Sequence, residues 1–267
     1  MSRTIRRSVA LAQNYFRNPG VLDALLARSS IRPGDLVYEV GPGLGAITTR
    51  LAALGSRVVA IEADRNLARR LAGRLAGHTN VAIHLHDFLA FPLPEWEYKL
   101  FANPPFNCTS ALIRRLFIEA EHGPDDAYLV MQSAAAERLL GTPRQSLLGL
   151  MVQPWYDVAL FHRFARGDFL PAPGVDVVML RLSKRGPPLI PLHQAVQFRA
   201  FATRMFNRGS HQLGQALRPV FGGPSAGSRL DPALNLRRPA SHVQLDQWVR
   251  LFRSLNDGQD FRGAPPR

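Results

Sequence analysis

The sequence predicts an α/β protein: an open, mostly parallel sheet covered by helices, followed by a small helical domain. Three observations carry this. Short β-branched runs alternate with helical patterns across residues 36–183. The strand-like runs are apolar almost throughout, as strands covered on both faces must be. A glycine-rich turn follows the first of them, at the end of the strand where such sheets bind their ligands.

The elements follow in order. Residues 36–40 (LVYEV), 57–62 (RVVAIE), 81–87 (VAIHLHD), 98–102 (YKLFA) and 127–131 (AYLVM) read as strands. Between them, residues 47–54, 66–76 and 110–120 have helical spacing. Residues 158–164 (VALFHRF) and 175–182 (VDVVMLRL) are two further strands, separated by a Gly/Pro-rich stretch and expected as an antiparallel pair at the sheet edge. RGPPLIP (185–191) breaks regular structure and marks a boundary. Beyond it, residues 193–206, 211–221 and 242–255 read as helices, and the last eleven residues as a frayed, disordered tail. The expected domains are therefore 1–184 and 185–267.

A chain of 267 residues with 46% hydrophobic and 20% charged residues can bury a real core, which excludes a disordered chain, a coiled coil and a collagen. The single cysteine, Cys108, excludes an internal disulfide and a Cys-based zinc site. No histidines have metal-ligand spacing, so no metal is expected. No apolar run approaches the roughly 20 residues of a membrane span, so no membrane partner is expected. The N-terminus lacks the apolar stretch of a secretory signal, and the expected location is cytoplasmic.

The net charge of +13 is unevenly placed. Residues 1–35 hold six Arg against two Asp, residues 36–183 hold fourteen basic and fourteen acidic residues, and residues 184–267 hold thirteen basic and four acidic. Basic flanks around a neutral middle suit a polyanion, because Lys and Arg gain affinity by displacing counterions from phosphates. A GC-rich genome would also enrich arginine, so charge alone leaves both readings open.

Glu39-Val40-Gly41-Pro42-Gly43-Leu44-Gly45 lies between the first strand and a helix. It satisfies the dinucleotide pattern, with Ala46 in the last place, and Glu62 ends the second strand at ribose-binding distance. That motif does not separate a nicotinamide enzyme from an S-adenosylmethionine enzyme. Glu39 tips the balance, since a carboxylate beside the loop suits a cationic ligand and repels a pyrophosphate. Asp87, ending the third strand, can accept from an adenine amine, with Phe88 packing on the ring. Taken singly, Glu39 reads as a strand end and Asp87 as a helix cap.

Asn103-Pro104-Pro105-Phe106 follows the fourth strand. Two prolines hold an extended backbone and donate no hydrogen bonds. The Asn103 side-chain oxygen and the Pro104 carbonyl can accept both N–H groups of an exocyclic adenine amine, and Phe106 can stack on the base. Drawing those protons into a pyramidal geometry localises the nitrogen lone pair for in-line attack on a sulfonium methyl. The work is positioning and polarisation, with no strong base.

These residues resemble the Erm family of 23S rRNA adenine N6-methyltransferases, within the wider rRNA adenine dimethyltransferase group. Gln13-Asn14-Tyr15-Phe16 is similar to the family's Q-N-F-L signature, and the loop to its E-x-G-x-G-x-G. Glu62 and Asp87 fall on its two acidic positions, and Asn103–Phe106 on its N-[ILP]-P-[YF] motif. Residues 169–176 resemble its F-x-P-x-P-x-V-D segment. In the tail, Phe198, Phe206, Arg208 and Leu213 fit its helical-domain pattern, with Gly209 where a second basic residue is usual. Phe16 replaces the usual Leu, and Val177 stands where Ser is common.

The resemblance implies a class I S-adenosylmethionine-dependent methyltransferase fold, Rossmann-like, with seven strands and the last antiparallel. It implies that residues 1–184 are catalytic and 185–267 bind RNA. Asn14, Phe16, Gly41, Glu62, Asp87 and Asn103 would contact the cofactor, beside Glu39, Gly43 and Phe88 from the reading above. Asn103, Pro104 and Phe106 would engage a single-stranded or flipped adenine of 23S rRNA. The activity implied is methylation near the peptidyl-transferase centre, giving macrolide, lincosamide and streptogramin B resistance, by a protein expected to be a monomer. A small-subunit rRNA dimethyladenosine transferase shares the motifs and is the alternative. A DNA adenine methyltransferase ranks below it, for want of a target-recognition insert. A non-catalytic RNA-binding factor on this fold is the alternative from another class.

Overall fold

The computed structural model describes residues 14–208, 212–221 and 234–256. Gln13, Gly209 and the tail from residue 257 lie outside the described residues. The chain divides into two compact units. One holds the residues up to Ala136 together with Asp157–Lys184, and the other holds Glu137–Tyr156 together with the residues from Arg185 onward.

The first unit is a sheet of seven strands: β1 (Leu36–Val40), β2 (Arg57–Glu62), β3 (Val81–Leu85), β4 (Lys99–Ala102), β5 (Asp126–Gln132), β6 (Tyr156–Arg163) and β7 (Val177–Lys184). Their order across the sheet is β3-β2-β1-β4-β5-β7-β6. The first five run parallel, and β7 pairs antiparallel with β5. This is the strand number and antiparallel last strand that the resemblance implies. The central strands form where they do because they are apolar on both faces: Val37, Ala60, Leu100, Phe101, Tyr128 and Val130 are all essentially unexposed. β6 and β7 are neighbours at one edge, as expected from the two runs.

Helices α1 (Pro19–Arg28), α2 (Ala46–Ala53), α3 (Arg65–Arg74) and α4 (Thr109–Ile113, continued by a wider π turn over Arg114–Glu119) also belong to this unit. Helix α3 starts where Asp64 accepts from the Asn66 and Leu67 N–H groups. Helix α1 was not recognised from sequence, although its start carries ordinary signals. Asn18 accepts from the Gly20 N–H at 3.1 Å, and Pro19 occupies the first turn.

The second unit departs from the sequence expectation at one end. The sequence boundary at 184 puts residues 137–156 with 1–184, but they cluster with the C-terminal helices. They contain α6 (Leu147–Val152), preceded by the end of α5 (Ser133–Leu140), and neither helix was identified from the sequence. The reason is packing. Trp155 meets Phe198 edge to face at 5.9 Å with Arg199 over its ring at 4.6 Å, and the Gln145 N–H donates to the Ser241 carbonyl. Helices α7 (Ala195–Arg208), α8 (Leu213–Phe221) and α9 (Leu245–Asn256) enclose Phe198, Phe201, Trp248 and Phe252. Among the described residues no helix is long and apolar enough to cross a membrane, and no cluster of three potential metal ligands occurs.

Candidate active site

β1 lies between β2 and β4, so the chain departs from β1 to one side and from β4 to the other. A crevice opens where the strand order reverses. Val40 lies opposite Ala102, and Gly41 and Asn103 therefore emerge side by side. A Cβ on Gly41 would stand 3.6 Å from the Asn103 carbonyl oxygen. Gly43 has a φ of +55°, and a Cβ there would lie 2.7 Å from the Tyr15 ring. Gly41, with a φ of +70°, is required by the turn, and Gly43 by the turn and by the close approach of Tyr15. Gly43→Ala is expected to lower S-adenosylmethionine affinity at least about tenfold, from strain plus displacement of Tyr15. Titration calorimetry checks this, and an unchanged dissociation constant would contradict it.

The cleft is lined by Asn14, Tyr15 and Phe16, by the loop from Gly41 to Leu44 with Ala46 and Ile47 behind it, and by Asn103 and Pro105. Five expected residues, Asn14, Phe16, Gly41, Gly43 and Asn103, thus meet around one space. Glu62 reaches the same loop from the end of β2. It is 3% exposed, and its two oxygens accept from the Gly43 N–H (3.0 Å) and the Asp64 N–H (2.9 Å). Burial raises its pKa, while those N–H donors hold it down.

Glu39 sits behind the loop at 1% exposure, outside the lining. Neither carboxylate oxygen has a well-formed hydrogen bond. Burial pushes its pKa up to about 8, with neighbouring Thr48 opposing the rise and the Glu62 charge adding to it. The strand end expected from sequence is therefore a desolvated acid.

Asp87, Phe88, Pro104 and Phe106 are not part of that lining. The Asp87 side chain accepts from the Leu89 N–H at 3.0 Å and caps the turn Phe88–Ala90, as its plainer reading held. Phe88 is only 6% exposed, its ring spent on the interior. Phe106 is half-buried and packs against the sheet core. The turn after the motif closes through Pro105, whose carbonyl accepts the Cys108 N–H at 2.9 Å, not through Pro104.

Sequence reasoning singled out neither Tyr15, which covers Gly43, nor Asn18 and Asp168. These last two meet at 3.1 Å across 150 residues of chain. The Asn103 Nδ2 donates to the Asn14 carbonyl at 2.9 Å. Burial and the Glu62 and Asp64 charges raise the Tyr15 pKa.

The model of the ribosomal RNA adenine dimethylase family matches residues 5–257. A Corynebacterium diphtheriae protein named rRNA adenine N-6-methyltransferase is 31% identical over 208 residues, covering 77% of this chain and 80% of that one. A Dehalococcoides mccartyi protein named Ribosomal RNA small subunit methyltransferase A is 29% identical over 262 residues, covering 93% and 88%. Among solved structures, the 23S rRNA methyltransferase ErmE superposes with a TM-score of 0.82 at 27% identity, covering 91% of this chain and 100% of that one. A dimethyladenosine transferase from Plasmodium falciparum, at 20% identity and a TM-score of 0.73, shares the fold. The chain belongs to the ribosomal RNA adenine dimethylase family, whose members methylate adenine in ribosomal RNA with S-adenosylmethionine.

Proposed function

We propose that this rRNA adenine N6-methyltransferase acts in the cytoplasm, as a monomer, on one adenine of 23S rRNA near the peptidyl-transferase centre. The consequence would be resistance to macrolides, lincosamides and streptogramin B. The observation that carries the 23S assignment is the likeness to ErmE over that chain's whole length.

The residues present fit the cofactor. Gly41, which carries no side chain, opens onto the cleft, and the buried Glu39 carboxyl lacks a cationic partner. Each Glu62 oxygen retains a lone pair for ribose hydroxyls after its N–H bond. Asn14, Phe16, Gly41, Gly43 and Asn103 would hold the rest, with Asp87 at the adenine end and Phe88 packed in the interior behind it. When bound, S-adenosylmethionine supplies a methyl group on a positively charged sulfur.

Asn103 then acts on the RNA base. Its Nδ2 is occupied by the Asn14 carbonyl, so its Oδ1 is the end offered to the target amine. Oδ1 and the Pro104 carbonyl accept the two amine protons and turn the lone pair out of the ring plane. Transfer would form the N–C bond at the expense of the donor's S–C bond, and the surplus amine proton would leave to water. Phe106 stacks on the base, which must be flipped out at a cost of about a few kcal/mol. The basic residues of 184–267, thirteen against four acidic, supply the phosphate contacts that offset this.

Primer extension on rRNA from a heterologous host expressing the protein tests the target. The expected result is a stop at a single adenine of the macrolide site, together with macrolide resistance of the host. The small-subunit reading is favoured by relatives such as the Dehalococcoides protein. It predicts modified adenines in 16S rRNA and an untouched 23S rRNA, an outcome that would overturn the proposal.

A further inference from the structure

The orientation of the Asn103 amide is set from outside its own motif. A carboxamide can lie either way round, and only one way presents oxygen to an incoming amine. Here the Nδ2 end is claimed by the Asn14 main-chain carbonyl at 2.9 Å. That carbonyl belongs to a segment with little structure of its own. Tyr15 and Phe16 form a two-residue strand, paired antiparallel with Phe169 and Leu170.

What fastens this segment is Asp168. Its main-chain carbonyl accepts the Arg17 N–H at 2.7 Å. One carboxylate oxygen accepts from the Asn18 Nδ2 at 3.1 Å, and the other from the Ala165 N–H at 2.8 Å. Asp168 is 8% exposed, which limits water's access to its carboxylate, while Asn18 reaches it from the surface. Asn18 is itself fixed, because its Oδ1 caps α1 through the Gly20 N–H. The Phe16 ring packs between Phe164 (5.5 Å) and Phe169 (4.9 Å), on the same side.

The geometry points to Asp168, acting with Asn18, as a positioning residue for catalysis: it holds residues 14–18 where the Asn14 carbonyl locks the Asn103 amide with its oxygen toward the substrate. This rests on the functional reading of Asn103 given above. Small displacements of a positioned group cost rate out of proportion to the movement. The pair is also chemically polar in one direction, donor on Asn18 and acceptor on Asp168, and that makes it testable by exchange.

In Asp168→Asn, one of the two N–H groups facing residue 168 must meet another donor. In Asn18→Asp, two carboxylates face each other. The double variant Asn18→Asp/Asp168→Asn reverses donor and acceptor. It keeps the Gly20 cap and the Ala165 bond, and leaves the net charge unchanged. Each single variant is expected to lower kcat about tenfold or more, with KM for RNA within about threefold, and the double variant to recover kcat to within about threefold of wild type.

The assay uses in vitro transcribed 16S and 23S rRNA together, saturating S-adenosylmethionine, and temperatures below each variant's Tm. A second readout needs no turnover. In NMR spectra of the protein without cofactor, the Asn103 Nδ2 proton pair is identified by its loss in Asn103→Ala. Its downfield proton is expected to shift upfield in the single variants and to return in the double. Single variants with kcat within twofold of wild type overturn the inference, and so does a double variant that recovers Tm but not kcat. Where a single variant does not fold, the other single variant and the double carry the same expectations. A wild-type protein that methylates neither RNA would sink the functional reading, while the amide shift would still decide this inference.

Discussion

Replacing Asn103 by alanine is expected to slow methyl transfer by about a thousandfold, the scale set by removing a preorganised hydrogen-bonding group from a transition state. S-adenosylmethionine should still bind within about fivefold of wild type, a change of about 1 kcal/mol. The asymmetry follows from where the amide sits. Its nitrogen is tied to the Asn14 carbonyl, and its loss leaves that half-buried carbonyl to water at little cost. The glycine loop is held independently, by Glu62 through the Gly43 N–H and by the Gly41 N–H on the Ile61 carbonyl. Single-turnover methylation and calorimetry on the same preparation separate the two effects. Undiminished turnover would remove Asn103 from the mechanism. A collapse of cofactor affinity with the same proportional loss of rate would make it a cofactor ligand only.

The second large effect concerns Glu39 and pH. In the folded protein its pKa is about 8, against an ordinary value of 4.5. The folded state therefore binds more protons than the unfolded chain between those values. The stability this group contributes is complete below about pH 4.5 and is lost as pH rises through about 8. Glu39→Gln keeps the shape and cannot ionise. The variant and wild type should melt together near pH 4, below both values. By pH 9 the variant should be more stable by on the order of 5 kcal/mol, with about half of that gap opening between pH 6 and 9. Parallel melting curves from pH 6 to 9 would show that the carboxyl is not desolvated as the structure has it. Saturating S-adenosylmethionine should flatten the wild-type pH dependence, because a bound cation near the loop favours the ionised form.

Both predictions depend on features of different legibility. The seven strands of the large sheet were readable, within about two residues, because an apolar run bounded by turn residues is a local property of the chain, whereas the two-residue pair Tyr15–Phe16 and Phe169–Leu170 was not. The glycine loop and the NPPF turn were readable for the same reason: each needs only its own few residues to take its shape. Helix α1 carried its start signal in Asn18 and Pro19, but that signal lay just beyond a motif read for its chemistry alone. Residues 137–156 were assigned to the wrong side of the boundary, since nothing in their own pattern states that Trp155 will pack on Phe198.

From its sequence alone, this protein was marked as an α/β methyltransferase-like chain with candidate residues at the ends of successive strands, because hydrophobic period, turn chemistry and motif spacing act over a few residues at a time. Tertiary structure alone decided which of those residues meet. Asn103 finds Asn14 across 89 positions and Asn18 finds Asp168 across 150. Glu39 becomes an acid with no cationic partner only once the strands and helix around it have closed. Such contacts, and the desolvation that shifts a pKa, arise from long-range packing of segments that individually carry no record of their neighbours.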